Sequence, residues 1–359
     1  MSRAVSTADV NVFAAGRLPR LAPWAVLIGS WLAMAALFAL LNMGGAVEDF
    51  NIVGAILIGT VIYAVVIWIL SALVEGKRQA TDRLITALVS LAFVIALLPL
   101  ISLLFTVISN GVARFDLQYF SYSMRGVIGE GGGAIHAIYG TLLMTLAATV
   151  ISVPIGLMTS VYLVEYGRGR LARAITFLVD VMTGIPSIVA GLFAYAVFVI
   201  FFGPGISLGI MGSVALSVLM IPVVVRSSEE LLKLVPNELR EASYALGVPK
   251  WLTIVKVVLP TAIAGIATGV TLAIARVIGE TAPLLITAGF TASLNTNLFN
   301  GNMMSLPVFV YSQYANPGTT PDAAIARAWA GALTLIIIVM LLNLIARLIA
   351  RFFAPKTNR

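Results

Sequence analysis

The sequence contains eight apolar runs that are each long enough to cross a lipid bilayer as a helix. An apolar helix needs about 20 residues to span the hydrocarbon core. A chain of 359 residues with 60% hydrophobic and only 10% charged residues fits an all-α polytopic membrane protein, not a soluble domain. The predicted spans are residues 22–42, 52–74, 84–108, 138–163, 174–201, 208–225, 261–289 and 329–350.

The spans divide into two groups. A short charged segment, EGKRQATDR, separates the first two spans from the other six. We therefore predict an N-terminal extension with two transmembrane helices, residues 1–83, followed by a six-span core, residues 84–355.

The basic residues are distributed unevenly between the two sides of the membrane. If the N-terminus lies inside, the inner segments hold 18 of the 22 lysines and arginines, and the outer segments hold three. Cytoplasmic loops carry such an excess of positive charge. This bias predicts cytoplasmic N- and C-termini, and it also accounts for the net charge of +7 without any nucleic acid.

Several kinds of chemistry are excluded by residues that the sequence lacks. There is no cysteine and only one histidine, His136, so disulfides and clusters of cysteine and histidine around a metal are ruled out. No phosphate-binding loop of the form G-x-x-x-x-G-K-[ST] occurs, and the glycine-rich GEGGGA at 129–134 lacks the lysine. We expect no catalytic, cofactor or metal site in this chain.

One span carries two charges in the stretch ARVIGETAP, residues 275–283. At 3.6 residues per turn, Arg276 and Glu280 fall on the same side of a helix as Gly265, Gly269 and Ala273. Small residues spaced four apart let another helix approach closely. The pattern therefore predicts that both charges face protein instead of lipid, and that they are neighbours on one helix.

Two interpretations of this pair remain open. A charge in mid-bilayer costs about 2.5–3.5 kcal/mol on insertion scales and marks a functional site by default. The alternative is a buried ion pair that only fixes packing. Arginine suits an oxyanion because its planar fork binds phosphate oxygens at two points. Our hypothesis is that Glu280 holds Arg276 until an anion competes for it.

The inner segment 226–260 is predicted to form a helix, a break and a second helix. Gly247 fits the left-handed position that ends a helix, and Pro249 fits the start of the next. The first short helix exposes a small apolar face that either docks into a groove of another protein or lies on the lipid headgroups.

The spacing of this segment resembles that of the cytoplasmic loop of ABC-importer permeases. Glu241, Ala242 and Ser243 are followed after three residues by Gly247, and nine more residues lead to a segment that ends at Pro260. The resemblance implies a coupling helix that inserts into a cytoplasmic ATPase subunit. The residues that it implies for this contact are Glu241, Ala242, Ser243, Ala245, Leu246 and Gly247.

Three further stretches are similar to the PstA-type permeases of phosphate-specific ABC importers: TGIPSIVAGLF at 183–193, ARVIGETAPLL at 275–285 and LPVFVYSQYANPG at 306–318. This resemblance implies the inner membrane of a prokaryote, a heterodimer with a PstC-type permease and an extracytoplasmic phosphate-binding protein. It also implies two cytoplasmic ATPase subunits, which would bind ATP and Mg. It further implies that arginines at positions 226 and 276 act in transport.

Some alternatives stay open at this point. Arg226 lies at the inner end of a span, where it could also serve as a positively charged anchor. The cargo could be another oxyanion, such as sulfate or molybdate. A secondary anion transporter or channel that uses Arg276 is also possible, but it leaves the segment 226–260 unexplained.

Overall fold

The computed structural model describes residues 18–19, 21–43 and 52–353, and the described part of the chain is helical with connecting loops. Most of the predicted inner segment 1–21, the loop 44–51 and the tail 354–359 lie outside the described residues. Seven helices are long and apolar enough to cross a membrane, or eight spans if one bent helix pair counts as a single span. The described residues therefore agree with the predicted all-α membrane architecture.

The chain separates into two compact units, residues 1–104 and 105–359. Unit 1 contains helix α1 (Ala22–Met43), helix α2 (Ile52–Val74) and most of α3 (Lys77–Gly111). Helices α1 and α2 pair closely because Gly59 leaves room for the ring of Trp31, whose Nε1 donates to Thr60 Oγ1 at 3.0 Å.

Glu75 organises the turn between α2 and α3. Its carboxylate accepts from Arg83 Nε at 2.7 Å, from Ser71 Oγ at 2.8 Å and from the backbone of Leu18 at 2.9 Å. The hydrogen bond from Arg83 is the main reason that the pKa of Glu75 falls from 4.5 to about 2, against the opposing effect of burial.

Unit 2 contains the end of α3 and eleven further helices. They are α4 (Leu117–Ser121), α5 (Ile135–Val161), α6 (Gly169–Thr183), α7 (Ser187–Phe202), α8 (Gly209–Lys233), α9 (Asn237–Ala245), α10 (Lys250–Thr253), α11 (Leu259–Val277), α12 (Ala282–Thr287), α13 (Leu306–Ala315) and α14 (Pro321–Phe353).

The core of unit 2 is the contact between α5 and α8. Small residues on both helices bring their backbones together: a Cβ on Gly156 would lie 2.7 Å from Val224, and Ser217 Oγ donates to the carbonyl of Ala148 at 3.4 Å. Close packing of this kind drives helix association in lipid, where burial of apolar surface gives no advantage.

Two predicted spans differ from the structure. The span predicted at 174–201 consists of α6 and α7, which meet at an angle of 111° across the break at Gly184–Pro186. Proline cannot donate the helical hydrogen bond, and it disfavours helix in the residue before it, so α6 ends before Pro186. The span predicted at 261–289 likewise ends early, at Val277, and resumes as the short α12.

The loop around α9 is shorter than the predicted inner segment 226–260. Helix α8 continues to Lys233, two turns beyond the last apolar residue of its run. On the other side, α10, a π-helical turn at Ile254–Val258 and α11 form one span from Lys250 to Val277. The loop therefore reduces to residues 234–249, with α9 at its centre.

Candidate functional site

The small-residue face of α11 packs against α8, as the sequence pattern predicts. A Cβ on Gly265 would lie 2.6 Å from a methyl carbon of Leu231, and one on Gly269 would lie 2.7 Å from Ser227 Oγ. Ala273, one turn further along, is fully buried. The two glycines therefore hold α11 directly against α8.

Arg276 lies at the end of α11 and at the edge of this packed face. At 100° per residue it is about 60° away from the centre of the buried side of the helix. The side chain is exposed in the single chain. The expectation that Arg276 faces packed protein is therefore not met within the chain itself.

The predicted pairing of Arg276 with Glu280 is wrong for this structure. Helix α11 ends at Val277, and the backbone of Glu280 already lies beyond the helix cap. Residues four apart are neighbours only while the helix continues. Across the described ranges of the chain, neither side chain forms an ion pair or a hydrogen bond.

The break after Arg276 is fixed by contact with α7. Pro283, in the first turn of α12, lies against Gly191, where a Cβ would come within 2.6 Å of its Cα. The next residue, Leu284, packs over Gly212 of α8. Two of the stretches that the sequence analysis singled out, at 183–193 and 275–285, therefore meet in space.

Arg226 lies within α8, not at its end, and is held by two carboxylates. One guanidinium nitrogen pairs with Asp180 of α6, and the other donates to Glu229 at 2.8 Å. Glu229 also accepts from Lys233 at 2.7 Å. The sequence predicts a close carboxylate partner for Arg276, but the structure places carboxylates beside Arg226 instead.

The two arginines lie at different depths along the α8–α11 contact. Gly269 of α11 lies beside Ser227, the residue that follows Arg226. Arg276 is seven residues further along α11, which corresponds to a rise of about 10 Å at 1.5 Å per residue. The arrangement provides two cationic positions, one near the loop that contains α9 and one further along α11 from that loop.

Helix α9 presents most of the residues implied for a partner contact. Glu241, Ala242, Ala245 and Gly247 are exposed, and Leu246 is 83% exposed. Gly247 has a φ of 75°, the predicted left-handed position. Ser243, grouped with them by the resemblance, is instead buried and hydrogen-bonded to Thr253 Oγ1 at 2.8 Å, which ties α9 to α10.

A buried ion pair anchors α9, and no pattern in the sequence predicts it. Arg240 donates to Glu165 Oε1 at 2.9 and 3.0 Å, and to the carbonyls of Leu232 and Val235. Only 5% of the Glu165 side chain is exposed, and the backbone carbonyl of this residue accepts from Lys250. The sequence shows only an arginine on the nine-residue helix α9, and such an arginine is too common to indicate an ion pair.

The third stretch, at 306–318, forms the end of the bundle opposite α9. The backbone nitrogen of Leu306 donates to Thr141 Oγ1 at 2.6 Å, and Phe309 packs edge-on against His136 with ring centroids 5.5 Å apart. His136 lies in the first turn of α5 and is buried. The described residues include no group of three histidine, cysteine or acidic side chains that could hold a metal ion.

Comparison with known proteins shows which family the chain belongs to. Residues 152–359 match the family of binding-protein-dependent transport system inner membrane components. The phosphate transport system permease protein PstA 1 of Mycobacterium tuberculosis is 49% identical over 286 residues, covering 79% of this chain and 91% of that protein. PstA of Pasteurella multocida is 41% identical over 282 residues, covering 78% of this chain and 97% of that protein.

A solved structure shares the fold. An inward-facing MetNI methionine ABC transporter aligns with a TM-score of 0.51 and 24% identity, over 61% of this chain and 95% of that chain. At this identity the likeness shows the fold alone. Taken with the identities of 49% and 41% to its relatives, the chain belongs to the binding-protein-dependent transport system inner membrane components and, within them, to the PstA-type permeases.

Proposed function

We propose that this chain is the membrane subunit of an ATP-driven importer that moves inorganic phosphate across the inner membrane of a prokaryote. Its relatives of 49% and 41% identity are phosphate transport system permease proteins, which supports phosphate as cargo. One structural observation carries the mechanism. A single span from Lys250 to Val277 joins the exposed inner loop to Arg276, so that a displacement of the loop is transmitted to that arginine.

Arg276 and Arg226 are the proposed phosphate contacts. Arginine stays charged at any relevant pH and offers paired donors that match phosphate oxygens. Arg276 is exposed and makes no ion pair among the described residues, so its donors are available to an anion. At Arg226 the anion would displace Asp180, whose carboxylate is 58% exposed, before release on the inner side.

Glu280 remains part of this proposal in a modified form. It lies on the short segment between α11 and α12, four residues beyond Arg276. Continuation of α11 by one turn, in another state of the transport cycle, would bring the two side chains together as neighbours. Glu280 would then hold Arg276 in the state without phosphate and release it in the state seen here.

The energy is proposed to come from partner subunits. The exposed face of α9 would dock into a groove on one of two cytoplasmic ATPase subunits. The second ATPase subunit would bind a PstC-type permease, and both ATPase subunits would bind ATP and Mg. An extracytoplasmic phosphate-binding protein would deliver the cargo. The N- and C-termini would be cytoplasmic, on the same side as α9.

The inner loop has the internal bonds that such coupling requires. Arg240 and Glu165 tie α9 to the end of α5, and Ser243 and Thr253 tie it to α10. When the ATPase pair closes and pushes α9, α10 and the long span must follow, because these bonds are buried. Alternating access would arise as α11 shifts along α8.

Co-purification tests this proposal. We expect the full chain, isolated from membranes, to carry a second permease and two ATPase subunits, with ATP hydrolysis that rises when a phosphate-loaded binding protein is added. The same assay with sulfate tests the alternative cargo. A lone chain that moves phosphate into liposomes without ATP would refute the proposal.

A further inference from the structure

A cavity of about 310 Å³ lies at the end of unit 2 opposite α9, and the proposed pathway does not include it. It is bordered by residues 127–129, by the loop that follows α13, and by the first two turns of α14. Its polar side chains belong to Gln313, Asn316, Thr319, Thr320 and Arg327. Val127, Ile128, Pro317 and Ala324 add apolar surface, so the lining is mixed and contains one cation.

Arg327 is a buried arginine without an acidic partner. It is 4% exposed and donates from Nε to Gln313 Oε1 at 2.7 Å, and from Nη1 to the carbonyls of Gly129 and Gly131 at 2.9 and 3.1 Å. All of these acceptors are neutral. Within the described ranges, Nη2 makes no hydrogen bond and no carboxylate pairs with this guanidinium.

The surroundings add positive potential. Helix α14 is 33 residues long and begins at Pro321, at the rim of the cavity. The N-terminus of a helix carries a partial positive charge and free backbone N–H groups, which favour anions. Asp322 and Glu130, the acidic residues nearest in sequence to the lining, are exposed and form no ion pair with Arg327.

A second arginine supports the same glycine-rich loop. Arg114 donates to the carbonyl of Gly132 at 2.9 Å and to Gln118 Oε1 at 3.2 Å, but it pairs with Asp116 and does not border the cavity. The loop therefore rests on two arginines, of which only Arg114 has a carboxylate. The contrast singles out Arg327 as the charge that lacks a counter-ion.

We propose that this cavity binds a free tetrahedral oxyanion, with the unpaired edge of Arg327 as its main donor. An unpaired buried charge is costly, and an anion in the cavity would offset that cost. The choice of phosphate as the anion rests on the proposed function. The site would be the first contact for phosphate on the side where it enters, ahead of Arg276.

The test is equilibrium binding of radiolabelled inorganic phosphate to the full chain, with the subunits that co-purify, in lipid nanodiscs without ATP. The double variant Arg226→Gln/Arg276→Gln is used as the background so that neither of the two proposed pathway arginines contributes. Gln313→Glu is the informative variant, because it keeps the hydrogen bond to Arg327 while it supplies a carboxylate that neutralises the charge. Gln118→Glu is the matched control, since it makes the same change beside Arg114.

We expect saturable phosphate binding that sulfate competes away and chloride does not. Gln313→Glu should weaken phosphate binding at least tenfold, which corresponds to the loss of about 1.4 kcal/mol of binding free energy. Gln118→Glu should leave phosphate binding within about threefold of the background. Equal binding in Gln313→Glu and the background, or no saturable binding at all, would overturn the proposal. The proposal would also be overturned if phosphate never binds and native mass spectrometry detects a bound phospholipid that Gln313→Glu loses.

The outcome is separable from that of the proposed function. Phosphate uptake by the complex in which Arg276 is unaltered, together with no binding at the cavity, would remove only the oxyanion site. Binding at the cavity without any ATP-driven uptake would leave the site in place and remove the importer.

Discussion

Gly191 of α7 lies so close to Pro283 of α12 that a Cβ on the glycine would come within 2.6 Å of the proline Cα. This contact sets where the chain turns after Arg276. Because α12 is held against α7, helix α11 stops at Val277, and the arginine lies at its end instead of within a continuous helix. The position of the proposed phosphate contact therefore depends on a residue in a different span.

Gly191→Val should separate α12 from α7. Overpacking of a close contact costs about 1–3 kcal/mol, so we expect a lower melting temperature and loss of phosphate uptake. Gly184→Ala is the control, because its Cβ would meet only the carbonyl of Val181 at an ordinary 3.5 Å. Thermal unfolding followed by fluorescence size exclusion measures both variants. Equal stability of the two variants would contradict the assigned role of the contact.

Arg226→Gln and Asp180→Asn distinguish a phosphate contact from a structural ion pair. Each change breaks the bond between α6 and α8, but only the first removes the cation. We expect uptake to fall at least tenfold in Arg226→Gln and to persist in Asp180→Asn, because an arginine–phosphate contact contributes more than about 1.4 kcal/mol. If the arginine only anchors α8, both variants should transport alike. Initial rates of uptake into membrane vesicles measure the difference.

Leu246→Glu should release the ATPase subunits. The side chain is 83% exposed at the end of α9, and a buried interface rejects an unpaired carboxylate. Leu117→Glu, at an 82% exposed position at the opposite end of unit 2, is the matched control. Pull-down of the complex should lose ATPase subunits only in the first variant. Retention of these subunits by Leu246→Glu would exclude α9 as the docking helix.

The carboxylate of Glu75 predicts how the stability of unit 1 depends on pH. Its pKa is depressed in the fold to about 2, so its contribution is present in full above about pH 4.5 and is lost as pH falls toward 2. Glu75→Gln should lower resistance to proteolysis at neutral pH, and the difference from the unaltered chain should shrink as pH falls through this window. Asp82→Asn, at an exposed position of α3, should show no such effect.

Hydropathy alone was sufficient to place the membrane helices, but it did not reveal where their backbones break. The run 174–201 is apolar except for a few polar residues such as Asp180, so it reads as one span, although Pro186 turns the chain by 111°. The opposite error occurs at Arg226. The apolar run ends there while α8 continues to Lys233, because a charged segment outside the bilayer can extend a helix.

The sequence points to the residues of the proposed site, whose roles stay predictions, but not to the contacts of these residues. The sequence identified the glycines of α11, the exposed face of α9 and the arginines at 226 and 276. The ion pairs of Arg226 and Arg240 with Asp180 and Glu165 join positions 46 and 75 residues apart, which no local spacing reveals. Gly279 and Pro283 were the signals that α11 ends before Glu280, since both residues weaken a helix.

Phosphate uptake by the reconstituted complex with Arg276→Gln tests the central claim most directly. Assembly and ATP hydrolysis are measured on the same samples. Arg276→Lys is a second variant, which keeps the positive charge but lacks the bidentate guanidinium group. We predict intact assembly, an at least tenfold loss of uptake in Arg276→Gln and a partial loss in Arg276→Lys. Uptake by Arg276→Gln at the rate of the unaltered complex would contradict the account.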